Sequence, residues 1–305
     1  MRNLFNTYLV LMLKGFCMGS ADVVPGVSGG TMAFILGIYK ALINSIKSFD
    51  MVFINLLFSL KIKEAFQHAN WKFLLPLGTG ILTAIFTLAK MLNWLLHNKP
   101  VLLWSFFFGL ILASIVTVSR QFRKWTVSII FFILSGAVIT YFLIGIVPAS
   151  TPETPLFLFL SGALAICAMI LPGISGAFIL VLLGKYQYIL EAVSNRDLYA
   201  LVIVASGAGV GILAFVRLLN WMFNKYHDAT IALLAGLMIG SLRKVWPWKN
   251  ITDCITDTHQ KALQTLSTNF IPDYWSKEVV IALCLSIVGF LSVLLLDFLS
   301  EKTKI

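Results

Sequence analysis

Two short segments hold the residues whose types and spacing could do chemistry. Asp22-Val-Val-Pro-Gly-Val-Ser-Gly-Gly30 and Leu171-Pro-Gly-Ile-Ser-Gly176 each place proline, glycine and serine inside an apolar run. Proline and glycine together stop a helix and free several backbone groups. A half-helix then restarts near Gly29-Gly30-Thr31 and near Gly176-Ala177-Phe178. Its first N–H groups have no intrahelical partner, and its dipole places partial positive charge there. Small residues admit a ligand to the backbone, and Ser28, Thr31 and Ser175 add hydroxyls. Such a place suits a phosphate, with Ser28, Gly29, Gly30, Thr31, Ser175, Gly176 and Ala177 as its expected contacts. The plainer reading is that Gly and Ser only permit tight helix crossing. Two copies of the break favour the site.

Four charges stand near these breaks or deep in apolar segments. Lys90 and Arg217 lie seven residues from the ends of their spans, about 10 Å deep at 1.5 Å per residue. Intramembrane cations tend to be functional, although this depth also permits snorkelling to the interface. Arginine can hold phosphate with two parallel hydrogen bonds, and lysine acts as a point charge. Lys14 and Asp22 occur only before the first break; Ser161 and Met169 stand at the matching positions of the second copy. Lys14 is a further phosphate candidate. Asp22 ends a half-helix, where the dipole disfavours an anion, so it is expected to bind a coupling ion, H+ or Na+, or to pair with Lys14.

Other chemistries find little support. His68, His97, His227 and His259 fall in loops or at span ends without metal-ligand spacing, and Cys17, Cys167, Cys254 and Cys284 have none either. No nucleophile with a nearby base can be assembled. The expectation is therefore no enzyme, no cofactor and no metal. The net charge of +10 lacks the clustered basic face that nucleic acid would need.

Something must position the two breaks, and composition says what. The 305 residues are 59% hydrophobic and 12% charged, with a mean hydropathy of +0.92. A soluble domain carries about 25% charged residues, so the bilayer must be the solvent for most of this chain. Residues 74–96, 101–119, 126–147, 199–223, 229–242 and 279–296 read as six spans, the fifth of them short. Residues 4–46 and 156–193 do not read as simple spans. Backbone freed in lipid must face protein or a watery cavity, so each is expected to be a re-entrant hairpin with one central break. Residues 51–66 read as an amphipathic surface helix and 246–276 as an extramembrane loop.

The breaks are copies. Pro25, Gly26, Ser28, Gly29, Gly37 and Tyr39 align on Pro172, Gly173, Ser175, Gly176, Gly184 and Tyr186 at an offset of 147. Lys90-Met-Leu-Asn-Trp94 aligns on Arg217-Leu-Leu-Asn-Trp221, and Gly109 on Gly236, at an offset of 127. The expected fold is an all-α integral membrane protein of two repeats, residues 1–150 and 151–305, each a hairpin plus three spans. A hairpin returns to its starting side and three crossings do not, so the repeats are expected to be inverted, as in transporters with a midplane site. Lys and Arg number 11 in the segments this places inside and 7 outside, which favours cytoplasmic termini.

The stretch Lys14-Gly-Phe-Cys-Met-Gly-Ser-Ala-Asp-Val-Val-Pro-Gly-Val-Ser-Gly-Gly-Thr31, with Gly37-Ile-Tyr39 after it, resembles the signature of the bacterial polyprenyl-phosphate transporters, the PopT group. The second break resembles the family pattern too. The resemblance implies undecaprenyl phosphate as substrate, returned by a flippase from the outer to the cytoplasmic leaflet of a bacterial inner membrane after cell-wall assembly. Membrane lipids would then be its surroundings, and a homo-oligomer stays open. The alternative from the residues alone is an ion-coupled transporter of a small anion at the same site; a lipid-modifying enzyme is a third.

Overall fold

The computed structural model describes residues 2–23, 28–122, 124–146, 151–256, 262–272 and 275–302. Pro25 and Gly26 of the first break lie outside the described residues. The chain is an all-α membrane protein, with one small β-hairpin among the described residues. Its first half runs α1 (Arg2–Asp22), α2 (Gly29–Ile35), α3 (Tyr39–Lys47), α4 (Met51–Phe58), α5 (Ile62–His68), α6 (Trp71–Asn98), α7 (Pro100–Ser119) and α8 (Val127–Ile144). The second runs α9 (Pro155–Ile170), α10 (Gly176–Leu182), α11 (Tyr186–Ser194), α12 (Leu198–Lys225), α13 (His227–Val245), strands β1 (Lys249–Thr256) and β2 (Ala262–Asn269), and α14 (Lys277–Lys302).

Among the described residues five helices are long and apolar enough to cross a membrane: α6, α7, α8, α12 and α14. Their outward faces carry Phe86, Phe131, Phe142, Val202 and Ile287, all more than half exposed. So much exposed apolar surface is stable only against lipid. The short span expected at 229–242 extends to the nineteen residues of α13. This helix is less apolar yet the most enclosed, with Ala232, Ala235 and Met238 fully buried. It is wrapped by α7, α8 and α12 rather than by lipid.

The two halves use the same contacts. A β-carbon on Gly15 would run into the Leu77 carbonyl, and one on Gly162 into the Val204 carbonyl. These pairs are related by the offsets of 147 and 127. A β-carbon on Gly109 of α7 would strike Ser286 of α14, and one on Gly236 of α13 would strike Ile133 of α8. Equivalent helices thus approach backbone to backbone at equivalent places, which only glycine allows.

Each broken region has two breaks where the sequence reading has one. After the Pro-Gly break comes a seven-residue helix, then a second turn at Gly37 or Gly184, with φ of 67° and 65°. Only glycine enters that left-handed region cheaply. The following helices α3 and α11 bend away by 118° and 107°. The single surface helix expected over 51–66 is likewise two short helices, separated where Leu60 takes a φ of 55°. Phe58, Leu60, Ile62 and Phe66 are exposed there, as an interfacial segment requires. The polar loop after α13 pairs into the antiparallel hairpin β1–β2.

Candidate functional site

The two broken regions meet at Ser28, Thr31 and Tyr39 of the first half and residues 169–173 of the second. α9 ends at Ile170 and leaves its last carbonyls without helical partners. The first half supplies them. The Ser28 hydroxyl lies 3.1 Å from the Met169 carbonyl and 3.2 Å from that of Leu171. Tyr39 donates to Ile170 at 3.3 Å. In return, the Gly173 N–H donates to the Thr31 hydroxyl at 3.0 Å. A β-carbon on Gly30 would collide with the Ile170 carbonyl.

The charges of α1 hold α2 at both ends. The Asp22 carboxylate accepts the Gly29 N–H at 2.7 Å, and the Lys14 ammonium donates to the Leu36 carbonyl at 2.9 Å. Eight residues separate Lys14 from Asp22, about 12 Å along a helix, and the seven residues of α2 span about 10 Å. An anion therefore sits at the N-terminus of α2 and a cation at its C-terminus, both favoured by the dipole. Asp22 stands where the sequence puts it, at the C-terminal end of a helix. Its carboxylate turns to the start of α2. In the second half Ser161 bonds its own helix, to Phe157 at 2.6 Å, and no side chain caps α10.

The expected phosphate contacts are consequently not one open cluster. The Gly29 N–H is taken by Asp22, and the Gly30 N–H by Ser28 at 3.1 Å. The Thr31 N–H reaches the Ser28 carbonyl at 2.9 Å. Ser28 and Thr31 are 2% and 0% exposed. A phosphate arriving there would find its donors already used. Across the interlock, Ser175 is half-buried, Gly176 buried and Ala177 exposed. Arg217 and Lys90 hold equivalent positions on α12 and α6, and both are exposed. Val216 and Leu219 beside Arg217 are buried, so its guanidinium leaves from the outward face. Long cationic stems lie along apolar surface while their tips reach water.

A cavity of about 400 Å³ opens beside the interlock, at the C-terminal end of α7. Tyr39, Lys40, Thr117, Arg120, Gln121 and Asp297 line it. The Thr117 hydroxyl is buried and has no hydrogen-bond partner among the described residues. A buried hydroxyl left unpaired is costly unless a ligand or water completes it. Lys40 lies 2.6 Å from His227 Nε2 and 5.5 Å from the centre of the Phe223 ring.

A family model described as VCA0040-like, undecaprenyl phosphate translocase-like, matches residues 18–263. The chain belongs to this family. It is 43% identical over 265 residues to a polyprenyl-phosphate transporter of Vibrio cholerae, covering 87% of this chain and 86% of that one. It is 33% identical over 254 residues to a polyprenyl-phosphate transporter of Staphylococcus aureus, covering 77% and 85%. No solved structure is significantly similar. Membership places the chain among transporters rather than enzymes. The cavity residues Lys40, Thr117 and Arg120 escaped sequence reasoning. Arg120 reads as an ordinary loop cation at a span end, and Thr117 as part of an apolar helix. The usable signal was Lys40, directly after the repeated Gly37-Ile-Tyr39.

Proposed function

We propose that this protein carries undecaprenyl phosphate across a bacterial inner membrane, from the outer to the cytoplasmic leaflet, by alternating access between two inverted repeats. The observation that carries this reading is the basic cavity against the interlocked breaks, in a chain of this family. Arg120 and Lys40 supply two cations, Thr117 an unpaired hydroxyl and Tyr39 an apolar wall. Arginine's planar fork matches a phosphate with two hydrogen bonds. The isoprenoid tail stays in lipid, because a cavity of about 400 Å³ holds a headgroup and not a long chain. With both termini cytoplasmic, the C-terminal end of α7 faces the cytoplasm, and the cavity is the release side. Arg217 and Lys90 anchor their helices at the interface, and the interlock is the pivot about which one half moves.

The same cavity would also admit a small free anion, which keeps that alternative in play. Proteoliposomes separate the two. Undecaprenyl phosphate is loaded in one leaflet and its exposure followed over time, with free phosphate uptake measured in parallel. The lipid should exchange and free phosphate should not. Arg120 is exposed, so Arg120→Gln should slow exchange by about tenfold, the loss of one hydrogen bond to a charged group at about 1.5 kcal/mol. Uptake of free phosphate without lipid exchange would overturn the flippase.

A further inference from the structure

At the end of the molecule opposite the Arg120 cavity, α13 finishes on Arg243, Lys244 and Val245 and leads into β1. Two lysines converge there. The Lys249 ammonium donates to the Lys244 carbonyl and lies 4.5 Å from the centre of the Trp104 ring. The Lys244 ammonium lies 5.2 Å from the Phe178 ring at the start of α10. Both are half-buried. Among the described side chains the ion pairs are Lys61–Glu64, His68–Asp50 and His227–Asp228, and neither lysine belongs to one. An ammonium has three donors, and one carbonyl and two ring faces leave several unused. Cations at a helix C-terminus do complement its dipole, yet that effect needs no burial. Removing charge from water without a counter-charge is expensive.

The position repeats that of the first cavity. Lys244 stands 127 residues after Thr117, the offset that relates α13 to α7. α7 and α13 run antiparallel. Thr117 and Arg120 line the cavity near the start of α13, where Lys40 meets His227, whereas Trp104 near the start of α7 lies against Lys249. From His227 to Lys244 is about 26 Å along a helix. The two basic places therefore occupy equivalent ends of equivalent helices, on opposite sides of the fold.

We propose that Lys244 and Lys249, with Trp104 and Phe178 as apolar walls, form a second site that binds a phosphomonoester headgroup on the side opposite the Arg120 cavity. Its identification as a lipid's headgroup rests on the function proposed above. The ring faces suit the first isoprene units of such a lipid, and the two ammonium groups its phosphate. Burial and the charge of Lys244 push the Lys249 amine down to about 7; an arriving anion would favour its charged form again, so binding near pH 8 should take up a proton.

The test uses the full chain in nanodiscs. Binding of undecaprenyl phosphate, of neutral undecaprenol and of inorganic phosphate is measured by calorimetry in two buffers of different ionisation enthalpy. Wild type should bind undecaprenyl phosphate with proton uptake and undecaprenol without it. In an Arg120→Gln background, which weakens the other cavity, Lys244→Gln with Lys249→Gln should lose that proton uptake and weaken the remaining phosphate-dependent binding by about 30-fold or more. Undecaprenol binding should not change, and Lys249→Arg should keep the affinity for undecaprenyl phosphate. If the double variant binds undecaprenyl phosphate like its Arg120→Gln parent, with the same proton uptake, the site is refuted whatever the fate of the flippase. If wild type binds inorganic phosphate there and the lipid nowhere, the site stands and the lipid reading falls. A variant that melts early but binds with full affinity would reduce the two lysines to a helix cap and overturn the proposal.

Discussion

Asp22 shows how one side chain can change what a helix end is free to do. Its carboxylate fills the N-terminus of α2, and Lys14 fills the other end from the same face of α1. Removing the carboxylate leaves the Gly29 N–H without its acceptor, at a cost of about 1–3 kcal/mol. Asp22→Ala should therefore lower the unfolding midpoint in detergent clearly more than Asp22→Asn, whose amide oxygen still accepts. A residue serving only to bind a coupling ion would behave otherwise: both variants would keep wild-type stability and lose any dependence of transport on H+ or Na+. Both charges were visible in the sequence. Their partners were not, because chain position does not say which neighbouring helix end a side chain will turn to.

At the scale of elements, the repeated motifs were legible and the second bend was not. Gly37 and Gly184 already stand out as aligned glycines. Alignment alone cannot reveal a left-handed φ, so in the sequence each short helix merges with the one after it. The prediction here is asymmetric. Gly37→Ala or Gly184→Ala forces a β-carbon into the left-handed region, at about 1–2 kcal/mol. Gly78→Ala and Gly209→Ala, where an added β-carbon meets nothing within 4 Å, should be neutral or stabilising by up to about 1 kcal/mol, since alanine is the better helix former. Thermal unfolding of the four variants checks this, and equal losses in all four would mean the bends are not held by glycine. The β1–β2 hairpin was missed for a related reason. A polar stretch between two membrane helices reads as a loop, and its pairing is decided only by cross-strand neighbours.

For the whole molecule, the membrane class came through from hydropathy, and glycine contacts matched at the offsets of 147 and 127 support the twofold recurrence expected from the sequence. The cavity did not come through, since its residues lie on five separate helices and the turns after α2 and α7. Whether the repeats are inverted across the bilayer is open to direct measurement. Lys124 follows α7 and Asn250 follows the equivalent α13, and both are exposed. Cysteines placed at the two positions in an otherwise cysteine-free chain should react with an impermeant maleimide from opposite sides of the membrane. Reaction from the same side would break the parity argument and, with it, alternating access by exchange of repeats.

The interlock of the breaks also bears on how the protein is made. The carbonyls at the end of α9 are completed by hydroxyls of Ser28 and Tyr39, and Thr31 accepts from Gly173. The donors leave the ribosome long before the groups that need them. While the first half waits in the bilayer, α2 is already held by Asp22 and Lys14. The second half ties down only the C-terminal end of α10, where Thr151 donates to the Leu183 carbonyl and Lys185 to the Thr151 carbonyl; no side chain caps its start, and the end of α9 is completed by the first half. Insertion should therefore follow an order in which the earlier half is the template on which the later one closes, with no unpaired carbonyl left at the end of α9.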